Sequence, residues 1–180
     1  MKATPGVLPE VLLLEPRVFG DERGFFLESY NKRTFSELGI DAPFVQDNHS
    51  RSARNVLRGL HYQLKQAQGK LVRVVAGAIF DVAVDVRRSS PRFGRWMAHR
   101  LSAQNKSILW VPAGFAHGFL SLEDDTEVLY KTTDYYAPEH ERCVLWNDPD
   151  IGIDWPLDCA PTVSAKDAKG VALQDAQVYE

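Results

Sequence analysis

The stretch Ile79-Phe80-Asp81-Val82-Ala83-Val84-Asp85-Val86-Arg87 decides the fold. Its apolar residues recur at every second position. Phe80, Val82, Val84 and Val86 share one face, while Asp81, Ala83, Asp85 and Arg87 share the other. Successive Cβ atoms of a strand point to opposite sides of the pleat, so period two predicts a strand with one apolar side. Upstream, Leu71 to Val75 is a second β-rich run, and Ala76-Gly77-Ala78 is the turn joining the two. Downstream, Ser107 to Pro112, His117 to Leu122 and Glu127 to Thr133 read as further strands, separated by the breakers Pro112, Gly114 and Glu123-Asp124-Asp125. Helical patterning is confined to one short segment, Asn31 to Leu38, closed by Gly39. Many short strands parted by turn residues predict an all-β sandwich or closed barrel with a few short peripheral helices. Nothing alternates as βαβ, and neither GxGxxG nor GxxxxGK[ST] occurs, so any nucleotide here is held by other means.

Composition narrows the class. A chain of 180 residues, 44% hydrophobic and 25% charged, is long enough to bury one sizeable core without staples. A net charge of −3 argues against a general nucleic-acid binder, while leaving room for a local basic pocket for a small anion. Cys143 and Cys159 lack CxxC spacing and read as unpaired thiols of a reducing compartment. The apolar run Val11 to Leu14 is too short to span a bilayer and follows no basic export-type segment, so the expected location is the cytoplasm. No repeat or linker divides the chain. One domain over 1–180 is expected, with an N-terminal arm over 1–50 that has no obvious partner strand, a core over 51–145 and a C-terminal segment over 146–180.

The chemistry concentrates in Arg58-Gly59-Leu60-His61-Tyr62-Gln63, followed by Lys70, Tyr130 and the pair Lys166-Asp167. A histidine, a lysine, a tyrosine and an aspartate are the parts needed to move protons next to a carbonyl. The first takes a C–H proton, the second stabilises the enolate oxygen, the third returns a proton, and the fourth orients the imidazole. Asp81 is a rival orienter. A regular strand would put Arg58 and His61 on opposite faces, so a bulge or strand end must intervene if both serve one site. Pro112-Ala113-Gly114-Phe115-Ala116-His117 has the PxGxxH form that delivers a histidine to the mouth of jelly-roll barrels of the cupin type. Metal coordination would need several convergent ligands, yet no HxH pair accompanies it. His117 therefore reads as a hydrogen-bond donor to substrate, and neither metal nor cofactor is expected. Arg23 is a natural bidentate partner for phosphate.

Taken together these segments resemble the dTDP-4-dehydrorhamnose 3,5-epimerase family over nearly the whole chain. The resemblance rests on Asp21 to Phe26, Phe44 to Ser50, Val56 to Gln63, Gln68 to Val74, the PxGxxHGF turn, Val128 to Thr133, Leu145 to Pro149 and Ser164 to Asp167. It implies a cupin-type jelly roll acting on a dTDP-linked 4-keto-6-deoxy sugar, as a homodimer with exchanged N-terminal arms. By the same resemblance His61 is the general base, Tyr130 the general acid, Asp167 the histidine's partner and Lys70 the group near the C4 oxygen. Arg23, Glu28, Gln46, Asn48, Arg58, His117, Glu141 and Lys166 match nucleotide-sugar contacts, with Arg23 and Glu28 acting on the neighbouring subunit. Phe25 and Tyr135 are the aromatics expected to sandwich the thymine. Open alternatives are an enzyme that inverts one centre only, a metal-dependent cupin, and a non-catalytic sugar-nucleotide binding module.

Overall fold

The computed structural model describes residues 1–180. Its strands are β1 Lys2–Pro5, β2 Leu12–Glu15, β3 Val18–Asp21, β4 Gly24–Leu27, β5 Gln46–Ser52, β6 Leu57–Gln63, β7 Lys70–Ala76, β8 Ala78–Asp85, β9 Trp96–Ser102, β10 Ile108–Val111, β11 Phe115–Ser121, β12 Thr126–Thr132 and β13 Glu141–Cys143. They form a six-stranded sheet in the order β1-β2-β10-β7-β12-β5 and a five-stranded sheet in the order β13-β6-β11-β8-β9. The two face each other as a jelly roll that stays an open sandwich. The third sheet is the isolated β3–β4 hairpin. Within the first 50 residues, β1 and β2 thus do have a partner, since β2 pairs with β10 through Leu12–Leu14. No helix is long and apolar enough to cross a membrane.

Three apolar clusters hold these layers together. The first lies between the sheets, where Val72, Val74, Leu109, Val111 and Val128 of one meet Ile79, Ala83, Met97, Leu101, Phe115 and Phe119 of the other. The second lies on the outer side of the five-stranded sheet, where Val82, Val84 and Val86 pack under Trp155, Leu173 and Ala176 of the C-terminal segment. The third seals the outer side of the larger sheet with Phe35 and Ile40 over Leu14, Leu71, Ile108 and Trp110. Burying each Leu- or Phe-sized side chain contributes about 1.5–3 kcal/mol, so each layer has its own driving force.

The segment over Ile79–Arg87 corrects the expectation of a strand with one apolar side. Every residue of β8 except Phe80 is buried, and Phe80 stacks edge-on against Trp155 at 5.8 Å. The C-terminal segment covers the outer face, and the face carrying Asp81 and Asp85 looks into the sandwich. Both carboxylates survive there because they are paired: Asp81 with His117, Asp85 with Arg87 and Ser90. The turn at Gly77 joins β7 to β8 but carries the chain from one sheet to the other. Its φ of +70° and a Cβ position 2.3 Å from Thr126 Oγ1 leave room only for glycine. The helix α1, Lys32–Glu37, starts where Asn31 Oδ1 accepts from the Arg33 N–H at 3.0 Å and ends before Gly39 at φ +80°.

Candidate active site

Beside the inner cluster the sandwich opens as a cleft of about 630 Å³. Its walls follow from strand periodicity. On the larger sheet, Gln46 and Asn48 of β5 lie opposite Thr132 and Tyr130 of β12, which lie in turn opposite Lys70 and Val72 of β7. Their side chains alternate inward, so Gln46, Asn48, Tyr130 and Lys70 all reach the cleft. On the smaller sheet, His61 of β6 stands between His117 of β11 and Cys143 of β13.

Arg58 and His61 share this cleft because β6 is bulged. Arg58 pairs with Phe119 and His61 with His117, so Gly59 and Leu60 together face the single residue Gly118. A Cβ on Gly59 would sit 2.6 Å from Gly118 Cα and 2.8 Å from His117 O, and its φ is +128°. Only glycine permits this approach.

His61 Nε2 is 2.7 Å from Asp167 Oδ1, while the Gly59 N–H donates to Asp167 Oδ2 at 3.3 Å. Asp167 opens a short 3-10 turn, Asp167–Lys169, whose first N–H donates to Ser164 Oγ at 3.0 Å. The turn is laced to the sheet through Val56–Thr162 and Val144–Val171 bridges. Burial opposes the charge of Asp167, but the His61 hydrogen bond and charge, with the Gly59 and Ser164 contacts, hold its carboxyl below the usual range. With Nε2 engaged as a donor to this carboxylate, Nδ1 is the ring nitrogen left to accept a proton. The rival orienter is used elsewhere: Asp81 Oδ1 lies 2.6 Å from His117 Nε2, at a buried position.

Lys70 reaches across from the larger sheet and donates to the His61 carbonyl at 3.0 Å. Burial pulls its ammonium down to about 8, and the charges of Glu141 and Asp81 pull only partly back. Burial pushes the Tyr130 phenol up against the opposing pull of Arg58, so it keeps its proton at neutral pH. Glu141 accepts hydrogen bonds from Lys166 and from Tyr136 Oη, the latter at 2.8 Å. Arg58 donates to Ser52 Oγ at 3.1 Å, bridging the sheets at the rim.

The cleft thus gathers His61, Lys70, Tyr130, Asp167, Gln46, Asn48, Arg58, His117, Glu141 and Lys166. Four expected residues lie outside it. Arg23 is bound to Asp21 on the exposed hairpin, Phe25 is 64% exposed under Lys106 Nζ, and Glu28 accepts from Asn31. Tyr135 is 60% exposed, and its neighbour Tyr136 lines the cleft instead. The Gln63 side chain donates to Tyr135 O and accepts from Ala137 N, and Gln46 accepts from Tyr136 N, which turns Tyr136 inward. Adjacency of two tyrosines was the only sequence signal for it. Gln63, Gln68 and Ser164, which stand in the quoted motifs without an assigned role, also line the cleft.

A jelly-roll sandwich with a His–Asp pair, a desolvated lysine and a protonated tyrosine around one cleft defines a cupin-type protein equipped for proton transfer beside a carbonyl. The family model described as dTDP-4-dehydrorhamnose 3,5-epimerase matches residues 6–175. A curated protein of that name from Pseudomonas aeruginosa is 64% identical, covering 99% of each chain. The crystal structure of the Legionella pneumophila dTDP-6-deoxy-D-glucose-3,5-epimerase in complex with dTDP-4-keto-L-rhamnose superposes with a TM-score of 0.96 at 49% identity, covering 98% of this chain and 94% of the other. A 3'-monoepimerase from Streptomyces bikiniensis in complex with dTDP-quinovose superposes with a TM-score of 0.90 at 37% identity, covering 94% and 87%. The chain belongs to the dTDP-4-dehydrorhamnose 3,5-epimerase family.

Proposed function

We propose that the protein inverts C3 and C5 of a dTDP-linked 4-keto-6-deoxy-glucose, giving the 4-keto-L-rhamnose product, by proton abstraction and return beside the C4 ketone. One observation carries this reading: His61 and Tyr130 stand on facing sheets, with the cleft between them. Inversion requires that a proton leave from one face of the sugar and arrive on the other. His61 Nδ1 removes the C–H proton, and Asp167 stabilises the imidazolium that results. Lys70 and His117 hydrogen-bond the developing C4 oxyanion in a site shielded from water; a donor in such a position typically stabilises the transition state by about 2.7–4 kcal/mol. Tyr130 supplies the proton on the far face. Between rounds His61 gives its proton to solvent through the open cleft and Tyr130 regains one, so the same pair treats both carbons.

Arg58, Lys166, Gln46, Asn48 and Glu141 line the route by which a nucleotide diphosphate would enter, and Arg and Lys suit its phosphates. The working unit is a homodimer in which the β3–β4 hairpin crosses to the neighbouring cleft with Arg23, Glu28 and Phe25, the last sandwiching thymine with Tyr135. Support comes from the hairpin itself. It pairs with no other strand, and Phe19, Phe25 and Phe26 are half or more exposed on it, an apolar patch that water disfavours.

Proton NMR of dTDP-4-keto-6-deoxyglucose with the purified protein in D2O tests the reaction. Deuterium is expected at both C3 and C5, and at neither with His61→Ala. Exchange at one carbon alone would assign the monoepimerase reaction, and full exchange with His61→Ala would remove His61 from the role of base.

A further inference from the structure

Beside the His61–Asp167 pair lies a thiol that none of this chemistry uses. Cys143 of β13 is the direct cross-strand partner of His61, so the two side chains leave the sheet on the same face. A ring nitrogen of His61, Sγ of Cys143 and a carboxylate oxygen of Asp167 all lie within 4.8 Å of one another. The only hydrogen bond of the thiol is a weak one to the Val144 carbonyl at 3.6 Å. We propose that these three side chains form a binding site for a soft divalent cation of the zinc or cadmium type, and that its occupancy shuts the enzyme down.

The donor set argues for that class of metal. One imidazole, one thiolate and one carboxylate with a fourth position open to a cleft is the three-ligand arrangement such ions accept, and thiolate selects against magnesium or calcium. The fit asks for small movements. Bond lengths of about 2.0–2.3 Å in tetrahedral geometry separate ligand atoms by roughly 3.3–3.6 Å. The His61 and Asp167 atoms, now 2.7 Å apart across a hydrogen bond, must open by roughly 0.6–0.9 Å. Sγ must close by up to about 1.5 Å, and it sits on a three-residue strand at the sheet edge. Burial pushes the thiol up to about 12, so it carries its proton until a cation displaces it. Binding releases one proton to solvent, from Sγ, while the Nε2 proton moves to Nδ1 so that the imidazole stays neutral, with no change of oxidation state. The ion differs in place from a cupin metal held by barrel histidines, because one of its ligands arrives on the C-terminal segment.

Inhibition follows from what the ion takes. It holds Nε2, draws Asp167 away from its role and leaves the ring proton on Nδ1, which then has no lone pair to take a proton from the sugar. This half rests on His61 being the base; the binding half does not. The test is titration of Cys159→Ala protein, which removes the exposed second thiol, with cadmium chloride. Thiolate-to-cadmium charge-transfer absorbance and C–H exchange of the sugar nucleotide are followed together. The expected result is one cadmium per chain, with absorbance rising as exchange is lost. Adding Cys143→Ala should leave metal-free exchange intact, abolish the absorbance, and raise the inhibitory concentration by at least the roughly 10–100-fold that loss of a mere second-shell partner costs. Equal inhibition of the Cys143→Ala protein would overturn the three-donor site. Full absorbance with undiminished exchange would place the metal on the thiol away from the base, and overturn it equally. A protein with no exchange before cadmium is added would refute the functional reading, while the absorbance titration with and without Cys143 still decides the site.

Discussion

At the scale of single residues, the cleft sets groups against their ordinary protonation. Lys70 is the clearest case, held down to about 8 by burial. As the partner of a C4 oxyanion it must be charged, so kcat should fall as pH rises through about 8, by about tenfold per unit. Stability should move the other way. Between pH 8 and the ordinary lysine value the unfolded chain binds more protons at this position than the folded one, so this group's contribution to stability grows with pH. A thermal-melt series alongside the rate profile separates the two. Lys70→Gln should lose about 10²–10³ in kcat and lose the alkaline limb with it; an unchanged limb would assign that titration to another group. Asp167 has linkage of the same sign, expressed in the acid range. Its folded value is depressed, so the stability it contributes is full above the ordinary carboxylate range and drains away as acid protonates it. Asp167→Asn should therefore flatten part of the acid-side loss of melting temperature, and it should cut exchange at C3 and C5 together.

Elements explain how much of this the sequence discloses. Period two in β8 and β12 is enough to predict strands and to put Tyr130 and Asp81 on definite faces, since alternation is local. Which strand lies beside which is not local. The pairing of Asp81 with His117, rather than His61, depends on the β8–β11 register, in which Asp81 lies opposite Phe119 and so diagonal to His117. The burial of both β8 faces depends on a C-terminal segment that has little regular structure and hence no periodicity to read. Residues 164–167 were legible only as a motif. The bulge in β6, by contrast, could be demanded in advance, because Arg58 and His61 cannot share a face without one. Gly59 is its test. In Gly59→Ala the new methyl must displace the β11 backbone at Gly118, strain at φ +128° adds to the cost, and His61 loses register with Asp167. The expected outcome is a lowered melting temperature together with a kcat loss larger than any change in KM. A variant that melts lower but turns over normally would separate the bulge from the site.

On the scale of the whole molecule, the sandwich is complete in one chain while the proposed site is not. Ten of the fourteen expected site residues share the cleft, and three of the other four, Arg23, Phe25 and Glu28, sit on or just after a hairpin that points into water. A hairpin of two four-residue strands with exposed phenylalanines is marginal by itself, so a second surface must bury it. If that surface is the neighbouring cleft of a symmetric dimer, Arg23→Ala and His61→Ala damage the same site from different chains. Each homodimer would then be inactive. Unfolding and refolding the two variants together in equal amounts gives half mixed dimers, each with one damaged and one intact site, so about a quarter of wild-type activity should return. Arg23 acting within its own chain would leave one site of the mixed dimer carrying each lesion, and nothing would return. The readout is deuterium exchange before and after co-refolding, with the Arg23→Ala protein alone setting the baseline. Recovery would establish that the hairpin is a limb of its partner's site, and its absence would return Arg23 and Glu28 to the surface of their own chain.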